Sequence, residues 1–307
     1  MLKRFLKILN ILFILFGFFS FYLYISDSEL FDQITAYYTE EHSLIVSNNY
    51  GINIERNYFQ KSNNFSPKSK KDLLNIYYTV LSSGTISFTF HCDKTYDTCI
   101  DDVKDLMSDN SLLSHINNFI HPFNTYKYIK TTYTTAGKIT ITVTKLYSDE
   151  EIEMINKKVV ELLPTLVSSD KSTTENIKSI HDYIVNNVQY DSAYAEGTSL
   201  YKANTAYGAL FEGYAVCSGY TDLISIFLNK IGVSNYKVSN DRHVWNLVYL
   251  DGQWLHLDLT FDDPIYEDNQ NRITHNYFLI TTEKLKELDQ ESDDKNAHVF
   301  NEKIYGK

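Results

Sequence analysis

The sequence predicts an α+β protein behind an amino-terminal membrane anchor. Three observations carry that expectation. Apolar residues recur at helical spacing in several long stretches, notably 72–81, 149–163, 174–188 and 217–231. Alternating stretches that read as strands are paired through short turns at Ala136-Gly137 and Asp251-Gly252. A long, nearly continuous apolar run follows a few basic residues at the start of the chain.

Composition bounds the function. The 307 residues suffice for one large domain or two of ordinary size, and 43% hydrophobic content excludes a disordered polymer. The net charge is −11, and the first 26 residues contribute only Lys3, Arg4 and Lys7, so removing those three positive charges leaves the remainder at −14. No basic stripe offsets that charge, which argues against nucleic acid as a partner.

Ile8 to Ile25 is apolar apart from Asn10, Gly17 and Ser20, close to the ~20 residues that cross a bilayer. Basic residues precede it and Ser26-Asp27-Ser28-Glu29 follows, which places the body outside the cytoplasm. The run ends in Phe-Tyr-Leu-Tyr-Ile with no small-x-small site, favouring an uncleaved anchor over 1–26 rather than a removed signal. Residues 27–66 are polar, rich in Asn, Ser and Tyr, and read as a stalk or a loose first element.

Residues 67–165 read as a small α+β domain without nameable chemistry. It comprises a helix over 72–81, a strand over 85–90, a short acidic helix over 100–107, and a hairpin of 126–133 with 139–146. A helix over 149–163 follows, with a capping box from Ser148 and Glu151. Its His91, His115 and His121 lack metal-ligand spacing, and no metal or cofactor is expected. Cys92 and Cys99 could close a small disulfide loop or stand as two free thiols.

After a linker at 168–174, the segment 166–307 carries the chemistry. Its first helix presents Ile177, Ile180, His181, Ile184 and Val188 on one face. Cys217, the cysteine left over, opens a helix whose apolar face is Leu223, Ile224, Phe227, Leu228 and Ile231, ended by Gly232. Free amides and the helix dipole at that position favour a thiolate and can bind an oxyanion. A cysteine at such a place is more often a small buried residue than a nucleophile. The downstream hairpin tips that balance. The Asp251-Gly252 turn sets Leu250 opposite Gln253, hence Trp245 opposite Asp258. Alternation then puts His243, Trp245, Trp254, His256 and Asp258 on one face, with Asp258 diagonal to His243. A carboxylate there fixes the tautomer of an imidazole whose other nitrogen faces a thiol. The bland alternative is a polar pair on a half-exposed sheet. His256, facing Leu247, reads as a packing residue and a poorer base. The two tryptophans are placed to shield the site.

Three ordered blocks now stand together: Asn204-Thr-Ala-Tyr-Gly-Ala-Leu-x-x-Gly-x-Ala-Val-Cys217-x-Gly-Tyr, Arg242-His243-Val-Trp-Asn, and Trp254-x-x-Leu-Asp258-x-Thr-Phe-Asp-Asp-Pro. Over about residues 175–265 they resemble the transglutaminase-like superfamily in its bacterial branch. The resemblance implies a papain-like fold with the nucleophile helix packed on an antiparallel sheet. It implies Cys217 as nucleophile, His243 as acid/base and Asp258 as orienting carboxylate. Tyr207 and Tyr214 are candidates for the oxyanion side of the groove, with Trp245 and Trp254 lining it. Members crosslink, deamidate or cleave peptide and protein amides, and some are inactive, so a degenerate binding or scaffold module is the competing expectation. Val216 stands where the animal crosslinking enzymes carry Gln, and Asp268-Asn-Gln-Asn is only a polar turn rather than a calcium loop. Peptide or protein substrates at the cell surface, cell-wall peptides among them, are expected.

Overall fold

The structure is a computed structural model that describes residues 12–22, 44, 46–48, 50, 51, 58–263 and 273–306. It is mixed α+β, as the sequence predicts. The centre is a three-stranded antiparallel sheet of β6 (Asn235–Ser239), β7 (Val244–Leu250) and β8 (Gln253–Leu257), in the order β6-β7-β8. The hairpin has the register that the Asp-Gly turn dictates, with Leu250 opposite Gln253 and Asn246 opposite Leu257. Asp251 and Gly252 both have positive φ, as a tight two-residue turn requires.

One face of this sheet meets α6 (Cys217–Lys230) and, behind it, α5 (Thr173–Asn187) and α4 (Asp149–Leu166). Val248, Leu257 and Leu259 pack there with Leu223, Ile224 and Phe227 of α6. The other face buries Tyr236, Val238, Trp245 and Leu247 against a second cluster. That cluster is built by α1 (Lys70–Ser82), β1 (Ser87–His91), α2 (Cys99–Ser108), α3 (Asn110–Asn118) and the carboxy-terminal segment. A second three-stranded sheet, β1-β3-β2, places β3 (Lys138–Lys145) between β1 and β2 (Tyr126–Tyr133). The segments 67–165 and 166–307 therefore share their cores, because the β6-β7-β8 sheet is apolar on both faces.

The capping box at Ser148 and Glu151 forms, and a second one joins Ser172 to Glu175 at the start of α5. All five residues of the predicted α5 face are buried. Cys92 and Cys99 are disulfide-bonded, with their Cα atoms 6.1 Å apart. His115 and His121 are satisfied by protein partners: His115 Nδ1 meets the Tyr305 hydroxyl at 2.5 Å, and His121 Nδ1 accepts from the Phe123 amide.

The stalk expectation needs correction where it can be seen. Phe59 is buried against Tyr78 and Phe119, and Asn48 hydrogen-bonds Asn124. Polar composition concealed these few anchoring aromatics and amides. Of the expected anchor, residues 12–22 are helical, and among the described residues no helix is long and apolar enough to cross a membrane. The rest of 1–26 and the polar turn at 268–271 lie outside the described residues. The sequence pattern also passed over α3, β6, α7 (Thr282–Glu291) and α8 (Glu302–Tyr305).

Candidate active site

A five-residue π-helical turn, Gly208–Glu212, ends at Gly213, whose φ of 74° closes it. The chain then runs as a two-residue strand, β5 (Tyr214–Ala215), beside β4 (Gln189–Tyr190) and enters α6 at Cys217. Val216 is the extended N-cap residue, and its side chain forms no cap. The first amides of α6, those of Cys217 and Ser218, have no intrahelical acceptor by position. Gly219 sits on the second turn-forming residue, where an added Cβ would fall 2.4 Å from the Ala203 carbonyl oxygen. That close approach clamps the cysteine-bearing end of α6 onto the preceding loop.

The helix is pinned to the hairpin by hydrogen bonds. The Thr221 hydroxyl lies 2.7 Å from the Cys217 carbonyl and 3.0 Å from the Val244 carbonyl. Asn246, the polar exception on the core face of β7, donates to the Thr221 carbonyl and the Ser225 hydroxyl. The turn before His243 is held by the Asn240 side chain, which accepts from the amides of Arg242 and His243. These contacts set Cys217 and His243 against one another.

His243 Nε2 and Asp258 Oδ2 are 2.5 Å apart, and Asp258 is buried just beyond the end of β8. The other oxygen of Asp258 accepts from the amides of Thr260 and Phe261. With Nε2 engaged, the remaining nitrogen of His243 is left for the Cys217 thiol, which is near enough to raise the ring's affinity for a proton. Burial opposes a charge on His243, but the Asp258 charge and hydrogen bond, with Cys217, outweigh it and push the ring up to about 10. Burial would raise Asp258, yet His243 and then His298 hold its carboxyl far below the usual carboxylate range. Trp245 is fully buried and stacks on His243 at 5.6 Å, closing one side of the ring to water.

His256 is a packing residue, as its position opposite Leu247 suggests. Its Nδ1 accepts from Trp245 Nε1, which leaves Nε2 to pair with the Thr282 hydroxyl. Burial, then the nearby His298, lowers it to about 3, so the ring is neutral.

Of the expected groove residues, Trp254 lies further along the hairpin than the sequence reading put it, while Tyr207 and Tyr214 make ring contacts of their own. Trp254 packs on Tyr236 and Tyr249, towards the turn end of the hairpin and away from His243. Tyr214 stacks on Tyr201 at 4.1 Å, and Tyr207 packs on Phe211 beneath the Lys202 ammonium. Face alternation specifies which side a residue lies on, not how far along the strand it is. Tyr190 instead is near enough to feel Cys217: burial first, then the charge of Cys217, raises its phenol.

Cys217 and His243 open into a cavity of about 600 Å³. Its far wall is α3, through Asn110, Ser111, Ser114 and Asn117, and its floor includes Lys237 paired to Asp222 at 2.9 Å. Away from this site, His181, Asp182 and His275 bring ligand atoms within 4.8 Å of each other. There Asp182 lies within hydrogen-bond distance of both rings, and His181 Nε2 meets Asp262.

A helix-start cysteine facing a carboxylate-bound imidazole defines a class of thiol site. Residues 161–259 match the family model described as the transglutaminase-like superfamily. No curated protein matches the sequence. Among solved structures, the chain is similar to a TGase at 14% identity and a TM-score of 0.34, over 50% of this chain and 48% of that one. It is also similar to a candidate cysteine protease from Cytophaga hutchinsonii at 14% identity and a TM-score of 0.28, over 43% of this chain and 61% of that one. A candidate protease from Parabacteroides distasonis has 14% identity and a TM-score of 0.24, over 44% and 40%. The chain thus spans about half the length of the first of these structures.

Proposed function

We propose that this protein is a cysteine acyl-transfer enzyme of the transglutaminase-like type, acting on amide bonds of peptides or proteins. The observation that carries the proposal is the alignment of Cys217, His243 and Asp258 at the mouth of a polar groove. In the first half-reaction the Cys217 sulfur bonds to the amide carbonyl carbon. The developing oxyanion is bound by the free amides at the start of α6, and His243 gives its proton to the departing amine as the C–N bond breaks. In the second, water or an amine attacks the thioester while His243 takes its proton, and the Cys217 sulfur leaves. Water yields cleavage or deamidation, and an amine yields transamidation.

The catalytic body is proposed to work outside the cytoplasm, tethered by the apolar run near the amino terminus. The Cys92–Cys99 bridge supports an oxidising compartment. Cell-surface peptides, including those of the cell wall, are the proposed substrates.

The test incubates the full-length protein with a glutamine-containing peptide, with and without a primary amine, and reads products by mass spectrometry. A mass change that Cys217→Ala abolishes is expected. A Cys217 thiol alkylated no faster than free cysteine, together with no product, sinks the proposal and leaves a binding module.

A further inference from the structure

Asp258 has a second histidine partner that the alignment of three residues does not use. His298 lies in the carboxy-terminal segment, fully buried among Trp245, Phe261 and Tyr277. Its Nε2 is 3.0 Å from Asp258 Oδ2, the same oxygen that binds His243. Its Nδ1 is 2.7 Å from Asp289 Oδ1, while its backbone amide donates to Asp289 Oδ2 at 3.1 Å. Asp289, on α7, is itself buried. Both ring nitrogens of His298 thus face carboxylate oxygens, and a ring that donates to both of them carries both protons. The five groups form one chain, half-buried at Cys217 and His243 and buried at Asp258, His298 and Asp289.

The orientation of Asp258 is already fixed by the amides of Thr260 and Phe261 on Oδ1. His298 is therefore not needed to aim the carboxylate. What it changes is the charge on Oδ2. A hydrogen-bonded cation on that oxygen weakens its hold on the His243 proton, since one acceptor serves two donors.

We propose that His298, clamped by Asp289, is a positioning residue that shares Asp258 Oδ2 with His243 and so limits how tightly the proton of His243 is held. This rests on the acyl-transfer reading of the same site and deepens it. An imidazolium bound too firmly is a poor acid for the leaving amine, so the shared oxygen keeps His243 able to release its proton. The charged and titratable groups that face the pair are Cys217 from α6, Asp289 from α7, His256 from β8, Tyr277 from the segment before α7, and Asp294 beyond it.

The test is the pH profile of Cys217 alkylation by iodoacetamide in the full-length protein, where a second rise at high pH marks loss of the His243 proton. His298→Gln keeps an N–H for Asp258 but no charge, and the second rise should move up by about one pH unit, the effect of one lost neighbouring charge. His298→Leu should move it further, and Asp289→Asn less, in the same direction. Profiles that superimpose on the parent protein overturn the proposal, because a merely structural role lowers thermal stability without moving the rise. If the variants do not fold, the ring nitrogens of the unaltered protein decide. Nitrogen NMR showing His298 with protons on both nitrogens near neutral pH supports the proposal, and a ring with one proton overturns it. A parent protein whose thiol reacts like free cysteine is a different result, which defeats the acyl-transfer reading while the ring measurement still reports on His298.

Discussion

Asp258 uses its two oxygens for different work: one is tied to backbone amides, the other to imidazoles. Asp258→Asn keeps the shape but turns one position into a donor facing two N–H groups. Turnover of a susceptible peptide should fall by roughly 10²–10⁴, the range seen when such a carboxylate is lost elsewhere, measured as kcat/KM. A second carboxylate nearby behaves oppositely. Burial pushes Asp263 up to about 6, against the Tyr220 hydrogen bond and His181. Its folded value exceeds the unfolded 3.8, so its contribution to stability is present below about pH 3.8 and lost as pH rises through about 6. Asp263→Asn should flatten the fall in unfolding free energy between those limits, as read by urea titrations across that range. The pairing of His243 with Asp258 was legible in the sequence because an Asp-Gly turn fixes register and register fixes diagonals. His298 was not, since it follows Asp258 by 40 positions with no turn or period connecting them.

Among the elements, α6 was legible from its apolar face and terminal glycine. Its tight seat was not, because nothing in the local pattern reveals the Ala203 carbonyl beside Gly219. Gly219→Ala puts a methyl 2.4 Å from that oxygen and 3.0 Å from the Ala215 methyl, and the backbone on both sides cannot yield cheaply. Unfolding in urea should show a loss of about 1–3 kcal/mol, the usual cost of overpacking, with slower Cys217 alkylation. Helix α3 escaped notice because Asn110, Ser111, Ser114, Asn117 and Asn118 are poor helix formers. It is held instead by the Asp109 cap and the burial of Leu113 and Ile116. Strand β6 was hidden by Lys237, whose ammonium is buried on Asp222 and Thr125. The Cys92–Cys99 bridge closes a short loop at the start of α2, far in sequence from the site. Replacing both cysteines by serine should cost about 2–3 kcal/mol by loop entropy and leave the Cys217 alkylation profile unchanged.

At the scale of the whole molecule, the boundary expected at 165 has helices on either side but no gap in packing. The sheet carrying His243 is covered on one face by α6 and on the other by α1, α3 and the carboxy-terminal segment. A fragment beginning at residue 166 would leave Tyr236, Val238, Trp245 and Leu247 without cover on one face. It should show no cooperative thermal transition by circular dichroism, whereas a fragment beginning at 58 should unfold in a single step. The sequence did not show this, because β7 is apolar on both faces but nothing in its own pattern says which distant segments cover the second one. The polar wall of the groove comes from α3, while the reacting groups come from α6 and the hairpin. On the acyl-transfer reading, choice of substrate and chemistry would be encoded about a hundred residues apart, so mutation of α3 would alter which amide is admitted while Cys217, His243 and Asp258 stay untouched.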